Sequence, residues 1–300
     1  MASLSGKLGF IGIGAMGTPM ASNLVKADYK LMIYDANPEH AAALASTHEV
    51  EVAQSLSEIG TSCTTVITML PDGKAVREVL CGQDDNFGDC VAPGLEPGAL
   101  VIDMSSSSPV GTRALGAILE ARGVRLIDAP VSNGVRGAIA AALAIMVGGD
   151  RTLFEECQPL FEKLGNQIFY AGPLGAGHAI KALNNYVSAA GLIAACEAVI
   201  VGQRFGLDAG VIVDILNASS GMNNTTKNKV TQFMLSGAFN AGFTTGLMAK
   251  DVRTALEVAQ AMGGPSHLAE HCAAIWNDAE RRCGPASDHT AIFQFLEKSS

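Results

Sequence analysis

Short apolar runs closed by turn residues alternate with helical patterns through the first half of the chain. Lys7 to Ile13, Leu31 to Tyr34, Thr65 to Leu70, Leu100 to Asp103, Arg125 to Asp128, Ala144 to Val147 and Gln167 to Tyr170 read as strands. Pro109 to Arg122 and Thr152 to Leu164 carry helical spacing between them. That alternation predicts an α/β domain with a mainly parallel, doubly wound sheet over residues 1–172. Ligands of such sheets bind beyond the carboxyl ends of the strands, where Leu70-Pro71, Ser105-Ser106 and Ala129 to Gly134 fall. After Gly206 the strand signals stop. Helical patterns follow at Ala209 to Asn217, Asn224 to Leu235, Leu247 to Met262, Ser266 to Cys283 and His289 to Lys298, so residues 173–300 are expected to form an all-α domain.

The two patterns meet in one long helix, expected over about 177–204, roughly 42 Å long at ~1.5 Å per residue. Apolar and small residues go most of the way round it, which predicts a buried central helix. A membrane span is not expected, because Lys181, Asn184 and Asn185 precede the apolar run and Glu197 cuts it short. Lys181 and Asn185 stand four apart and share a helix face. A lysine placed among apolar residues loses solvation and can exchange a proton near neutral pH, so Lys181 is a candidate acid/base.

Gly12-Ile-Gly14-Ala15-Met16-Gly17 follows the first strand and opens a helix, the context that gives G-x-G-x-x-G its meaning as a dinucleotide fingerprint. Gly12 permits the turn, Gly14 lets a pyrophosphate approach the backbone, and Gly17 lets helix and strand pack closely. The helix start then offers N–H groups to phosphate. A Rossmann-type fold is therefore expected. Asp35 ends the second strand, where a carboxylate accepts hydrogen bonds from the adenosine ribose and repels a 2′-phosphate. No arginine follows in Ala36-Asn37-Pro38, so NAD is expected in preference to NADP.

With 48% hydrophobic and 16% charged residues the chain can build a sizeable core. A net charge of -9, without a basic cluster, argues against a nucleic-acid partner. Seven cysteines without C-x-x-C spacing suggest neither a disulfide framework nor a zinc knot, and they fit a reducing, cytoplasmic setting. His267-Leu-Ala-Glu270-His271 matches the H-x-x-E-H spacing of inverted zinc peptidases, but no third ligand is signalled and no metal is expected.

Four segments together resemble the β-hydroxyacid dehydrogenases, most closely the 3-hydroxyisobutyrate dehydrogenase type: Gly9 to Leu24, Asp128-Ala-Pro-Val-Ser132-Asn133-Gly134, Gly175-Ala-Gly-x-x-x-Lys181-x-x-Asn-Asn185, and Phe243-x-x-x-Leu-Met-x-Lys250-Asp251. Asp288-His-Thr-Ala-Ile-Phe is similar to the start of that family's last helix. The resemblance implies that Lys181 is the catalytic lysine, Asn185 a substrate-orienting amide, and Ser132 with Gly134 the turn that holds the substrate carboxylate. It implies that Lys250 reaches the cofactor from the helical domain, and that Leu70, Pro71 and Ser106 lie on cofactor-contacting loops. The implied activity is hydride transfer between a small β-hydroxyacid, with 3-hydroxyisobutyrate as the leading candidate, and a nicotinamide. Serine-like substrates, tartronate semialdehyde and glyoxylate belong to the same class. Imine reductases are similar in pattern but lack the lysine at the position of Lys181. A dinucleotide-binding scaffold without catalysis is a further reading, and the presence of the lysine argues against it. Phosphogluconate dehydrogenases share the lysine and asparagine but resemble much longer chains. Three departures stand out: Asn133 replaces a glycine, Ala141 lies where glycine is common, and Ser106 replaces threonine. The Asn133 amide is expected to project toward a substrate head group. The apolar helical half is expected to pair with itself, as a homodimer or homotetramer.

Overall fold

The computed structural model describes residues 6–298. The first part builds β1 (Leu8–Ile11), α1 (Gly17–Lys26), β2 (Leu31–Tyr34), α2 (Pro38–Ala45), β3 (Glu51–Val52), α3 (Leu56–Ser62), β4 (Thr65–Thr68) and α4 (Gly73–Cys81). It continues with β5 (Leu100–Asp103), α5 (Pro109–Glu120), β6 (Arg125–Asp128), β7 (Val131–Ser132), α6 (Gly134–Ile139), β8 (Leu143–Gly148), α7 (Arg151–Phe161) and β9 (Gly165–Gly172). One nine-stranded sheet results, ordered β3-β2-β1-β4-β5-β6-β8-β7, with β9 paired to β8. The strands from β3 to β6 run parallel; β8 is antiparallel to β6 and to β7, and parallel to β9. The strand order reverses beside β1, which places the crevice for a ligand at the carboxyl ends of β1 and β4.

Successive strand residues enter opposite cores, as a sheet covered on both faces requires. Phe10, Ile102 and Ile127 join one cluster with Met20, Leu24 and Phe161. Ile11, Val101 and Leu126 join the other with Val76, Leu80 and Leu119. Helices α2, α3 and α4, which the apolar pattern does not announce, start on side-chain caps. Asn37 accepts from the Glu39 N–H, Ser55 from Glu58 and Asp72 from Ala75.

The long helix α8 (Ala176–Phe205) follows, and the chain divides into two compact units within it, after Lys181. The second unit adds α9 (Ala209–Ala218), α10 (Asn224–Asn228), α11 (Thr245–Ala261), α12 (His267–Cys283) and α13 (Ile292–Lys298). Its core gathers Leu192, Cys196 and Val199 of α8 with Val252, Trp276 and Phe293. Two expectations are corrected here. The single helix over Asn224 to Leu235 is broken at Lys229, with φ -131° and ψ -42°, and continues as a π-helical stretch, Val230–Leu235. The Asn223 capping box fixes Thr225 and Thr226 on one side of the break, and on the other Lys229 Nζ lies 3.0 Å from His289 Nε2. Nor is α8 buried all round. It is long and apolar enough to cross a membrane, with 44% of its most apolar window buried, and its outer side leaves Val187, Val201 and Phe205 exposed.

Candidate active site

At the end of β1, Gly12 adopts φ +99°, and a Cβ there would overlap the Met69 carbonyl oxygen. A Cβ on Gly17 would overlap the Gly12 carbonyl oxygen, so the start of α1 lies directly against the turn. Around Gly14 the space is open: a Cβ would meet nothing within 4 Å. No side chain caps α1; in its first turn the Thr18 N–H donates to the Gly14 carbonyl oxygen at 3.0 Å and Pro19 has no N–H. Ala15 is exposed and Met16 half-buried beside this opening. A cavity of about 570 Å³ begins at Ile13, Gly14 and Ala15 and runs along α1 past Thr18 and Ser22. Open backbone, uncapped helix start and cavity fit a dinucleotide pyrophosphate.

Asp35 stands at the end of β2. Its Oδ2 accepts the Ile13 N–H at 2.7 Å, and its Oδ1 accepts the Asn37 N–H at 2.8 Å and lies 3.2 Å from His40 Nδ1. The carboxylate is thus held rigidly against the Gly12–Gly17 turn, with lone pairs left for further donors. The loops after β4 and β5 are joined by the Leu70 N–H, which donates to Ser105 Oγ at 2.9 Å. Gly12, Leu70 and Ser105 therefore form one continuous edge, with Pro71 exposed and Ser106 half-buried next to it.

Beyond β6, Ser132 is half-buried and pairs with Ala144 of β8. Asn133 takes φ +83° and Gly134 φ +59°, so the turn tolerates asparagine at the cost of a left-handed conformation. The Asn133 Nδ2 donates to the Ala142 carbonyl oxygen at 2.9 Å and ties the turn to the following strand.

Lys181 and Asn185, each 8% exposed, lie four residues apart on α8, and the intervening Asn184 is exposed. Asn185 Nδ2 donates to Asp251 Oδ2 at 2.5 Å, while its Oδ1 receives the Asn184 amide at 3.1 Å. Lys250 Nζ is 3.7 Å from Asp251 Oδ1. In the second unit α11 therefore brings Lys250 and Asp251 to Asn185. Asp251, which stands in the quoted motif without a role of its own, is 5% exposed and fixes the Asn185 amide.

Two further residues went unrecognised. Asp128 accepts the Gly175 and His178 N–H groups, both at 2.7 Å, and so caps the start of α8 from a neighbouring strand. Burial pushes the Asp128 carboxyl up, opposed by the His178 ring and by these N–H groups. His178 itself is buried, 3.7 Å from Asp103 and 3.6 Å from Asp128. The signal available was the position of both residues inside the quoted motifs.

The family model described as the NAD binding domain of 6-phosphogluconate dehydrogenase matches residues 7–172. That described as NAD-binding of NADP-dependent 3-hydroxyisobutyrate dehydrogenase matches residues 175–296. The probable 3-hydroxyisobutyrate dehydrogenase of Mycobacterium tuberculosis is 36% identical over 275 residues, covering 90% of each chain. This chain belongs to the β-hydroxyacid dehydrogenase family. The NAD-dependent L-serine dehydrogenase of Pseudomonas aeruginosa is 38% identical, covering 85% of this chain and 86% of that one. A solved Mycobacterium tuberculosis 3-hydroxyisobutyrate dehydrogenase with L-serine is 34% identical, with a TM-score of 0.87 over 97% of this chain and 99% of that one. As a β-hydroxyacid dehydrogenase, the protein is an oxidoreductase that acts on a CH–OH group with a nicotinamide dinucleotide.

Proposed function

We propose that this β-hydroxyacid dehydrogenase uses NAD and oxidises a small carboxylate-bearing 3-hydroxyacid, with 3-hydroxyisobutyrate first and serine second. The observation that carries the reading is Lys181, a lysine only 8% exposed, one helical turn before the equally buried Asn185. The bound nicotinamide supplies the hydride acceptor. Lys181, in its neutral form, takes the hydroxyl proton during oxidation and returns it during reduction, a role worth about 10² to 10⁴ in rate. Asn185, oriented by Asp251, hydrogen-bonds the same oxygen. Ser132 and the turn at Asn133 and Gly134 hold the carboxylate, so that the reacting carbon is placed before chemistry begins. Gly12, Gly14, Ala15, Met16 and Gly17 cradle the pyrophosphate; Leu70, Pro71, Ser106 and Lys250 line the rest of the cofactor. The Asp35 carboxylate, pinned by two backbone N–H groups, favours ribose hydroxyls over a 2′-phosphate.

The names of the relatives support both substrates: 3-hydroxyisobutyrate and L-serine differ at the carbon beside the carboxylate. Seven free cysteines, six of them buried, suit a reducing cytoplasm. NADH formation from 3-hydroxyisobutyrate, L-serine, glycerate and 4-hydroxybutyrate, each offered with NAD and with NADP, tests the reading. The highest kcat/KM is expected for 3-hydroxyisobutyrate with NAD. A preference for NADP overturns the Asp35 argument, and turnover of 4-hydroxybutyrate alone overturns the substrate class.

A further inference from the structure

Asp103 and Asp128 end adjacent parallel strands and face each other in register, and both are buried. The His178 ring, from the first turn of α8, lies between them. Its Nε2 is 3.1 Å from the Ser105 carbonyl oxygen and its Nδ1 is 2.8 Å from Thr112 Oγ1. A carbonyl only accepts, so Nε2 carries a hydrogen. Thr112 Oγ1 is also 3.0 Å from the Ser108 carbonyl oxygen. Rotating this one hydroxyl lets it give its hydrogen to Nδ1 or receive one from Nδ1, and both ring contacts survive either arrangement.

The ring is joined on one side to the cofactor edge. Asp103 Oδ1 accepts from Thr68 Oγ1 at 2.9 Å and from the Ser105 N–H at 3.0 Å, and its Oδ2 accepts from Ser107 Oγ at 2.8 Å. Ser105 in turn receives the Leu70 N–H. On the other side the His178 N–H is held by Asp128, one turn before Lys181. There is no slack around this turn, because a Cβ on Gly177 would press on Asp128 Oδ2 at 2.9 Å and overlap the Met146 carbonyl oxygen.

We propose that His178 is a positioning residue of the dehydrogenase: Nε2 fixes the Ser105 loop that holds the dinucleotide, while Nδ1 and the backbone N–H fix the turn of α8 that sets Lys181. The proposal rests on the roles of Lys181 and the Ser106 loop given above, and it divides one side chain between two measurable quantities. His178→Gln retains an amide near Nε2 and loses the group at Nδ1. His178→Asn does the reverse.

The test compares NADH affinity, by fluorescence titration, with kcat at saturating NAD for both variants. His178→Gln is expected to bind NADH as the wild type does and to lose about tenfold in kcat, the scale of one hydrogen bond of about 1.4 kcal/mol. His178→Asn is expected to bind NADH about tenfold more weakly and to retain more of kcat. If a buried ring replacement does not fold, Thr112→Val removes the Nδ1 partner, together with the bond within α5 to the Ser108 carbonyl, leaves the Nε2 contact to Ser105 in place, and should lower kcat with NADH affinity unchanged. Equal losses in both quantities for Gln and Asn, or folded variants indistinguishable from wild type, overturn the proposal. Wild-type protein that binds NADH but turns over no hydroxyacid overturns the functional reading instead, and the NADH titrations still decide the loop half of the proposal.

Discussion

Ala141 holds φ +51° at the return from α6 into β8, where a Cβ meets its own carbonyl. A left-handed conformation costs a residue with a Cβ roughly 1–2 kcal/mol. Glycine removes that strain and adds back about 0.5–1 kcal/mol of unfolded-state entropy. Ala141→Gly is therefore expected to stabilise the protein by up to about 1 kcal/mol, seen as a higher midpoint in calorimetry. A lower midpoint would show that the strain is relieved elsewhere. At this scale the sequence shows which residues have special chemistry and conceals which carboxylates are buried. Lys181 stands out because a cation interrupts an apolar stretch. Asp128 looks like an ordinary charged residue at a strand end and Asp251 like one on a helix face, and only folding places them at backbone N–H groups and at the Asn185 amide. The bond from Asn133 to the Ala142 carbonyl, nine residues away, is likewise set only by folding.

The start of α11 is fixed by the segment before α13. The Gly242 N–H donates to Asp288 Oδ2 at 2.8 Å, the Thr245 N–H to the Ser287 carbonyl, and the His289 N–H to the Phe243 carbonyl. Burial alone would push the Asp288 carboxyl up, but hydrogen bonds from His289, Thr290 and Gly242 together hold it well below the usual carboxylate range. A lowered folded-state value means stability that is present above the unfolded value near 3.9 and is lost as pH falls toward the folded one. Asp288→Asn should therefore melt lower than wild type at neutral pH, with the gap narrowing below about pH 4. A gap that widens in acid contradicts this sign. Elements with strong periodicity or an apolar run were legible, and α5, α7, α8 and α12 fall within a few residues of expectation. Short α2, α3 and α4 were hidden because their signal is a cap rather than a period. The π-helical stretch after Lys229 was hidden because no breaker residue marks it, and Lys229 itself contacts His289, sixty residues on.

On the scale of the whole molecule, the alternation of runs and helices followed by helices alone was sufficient to read the Rossmann-type sheet and the helical second half. Burial of α8 was misjudged, because an apolar face identifies a partner without saying which chain provides it. Val187, Val201, Phe205, Leu207, Val211 and Ile215 are all more than half exposed, with Phe205 at 84%. We expect a second copy to cover this face, so wild type should sediment as a dimer or larger species and Val201→Glu with Phe205→Glu should lower that mass. A monomeric wild type at micromolar concentration would contradict it.

The proposed chemistry depends on Lys181 as the group that moves the proton. The most direct measurement is NADH formation by Lys181→Ala beside wild type, on the best hydroxyacid, together with NADH binding to both. The predicted result is a fall in kcat of at least about 100-fold with NADH affinity preserved. A variant that binds NADH and turns over at the wild-type rate would show that Lys181 does not move the proton.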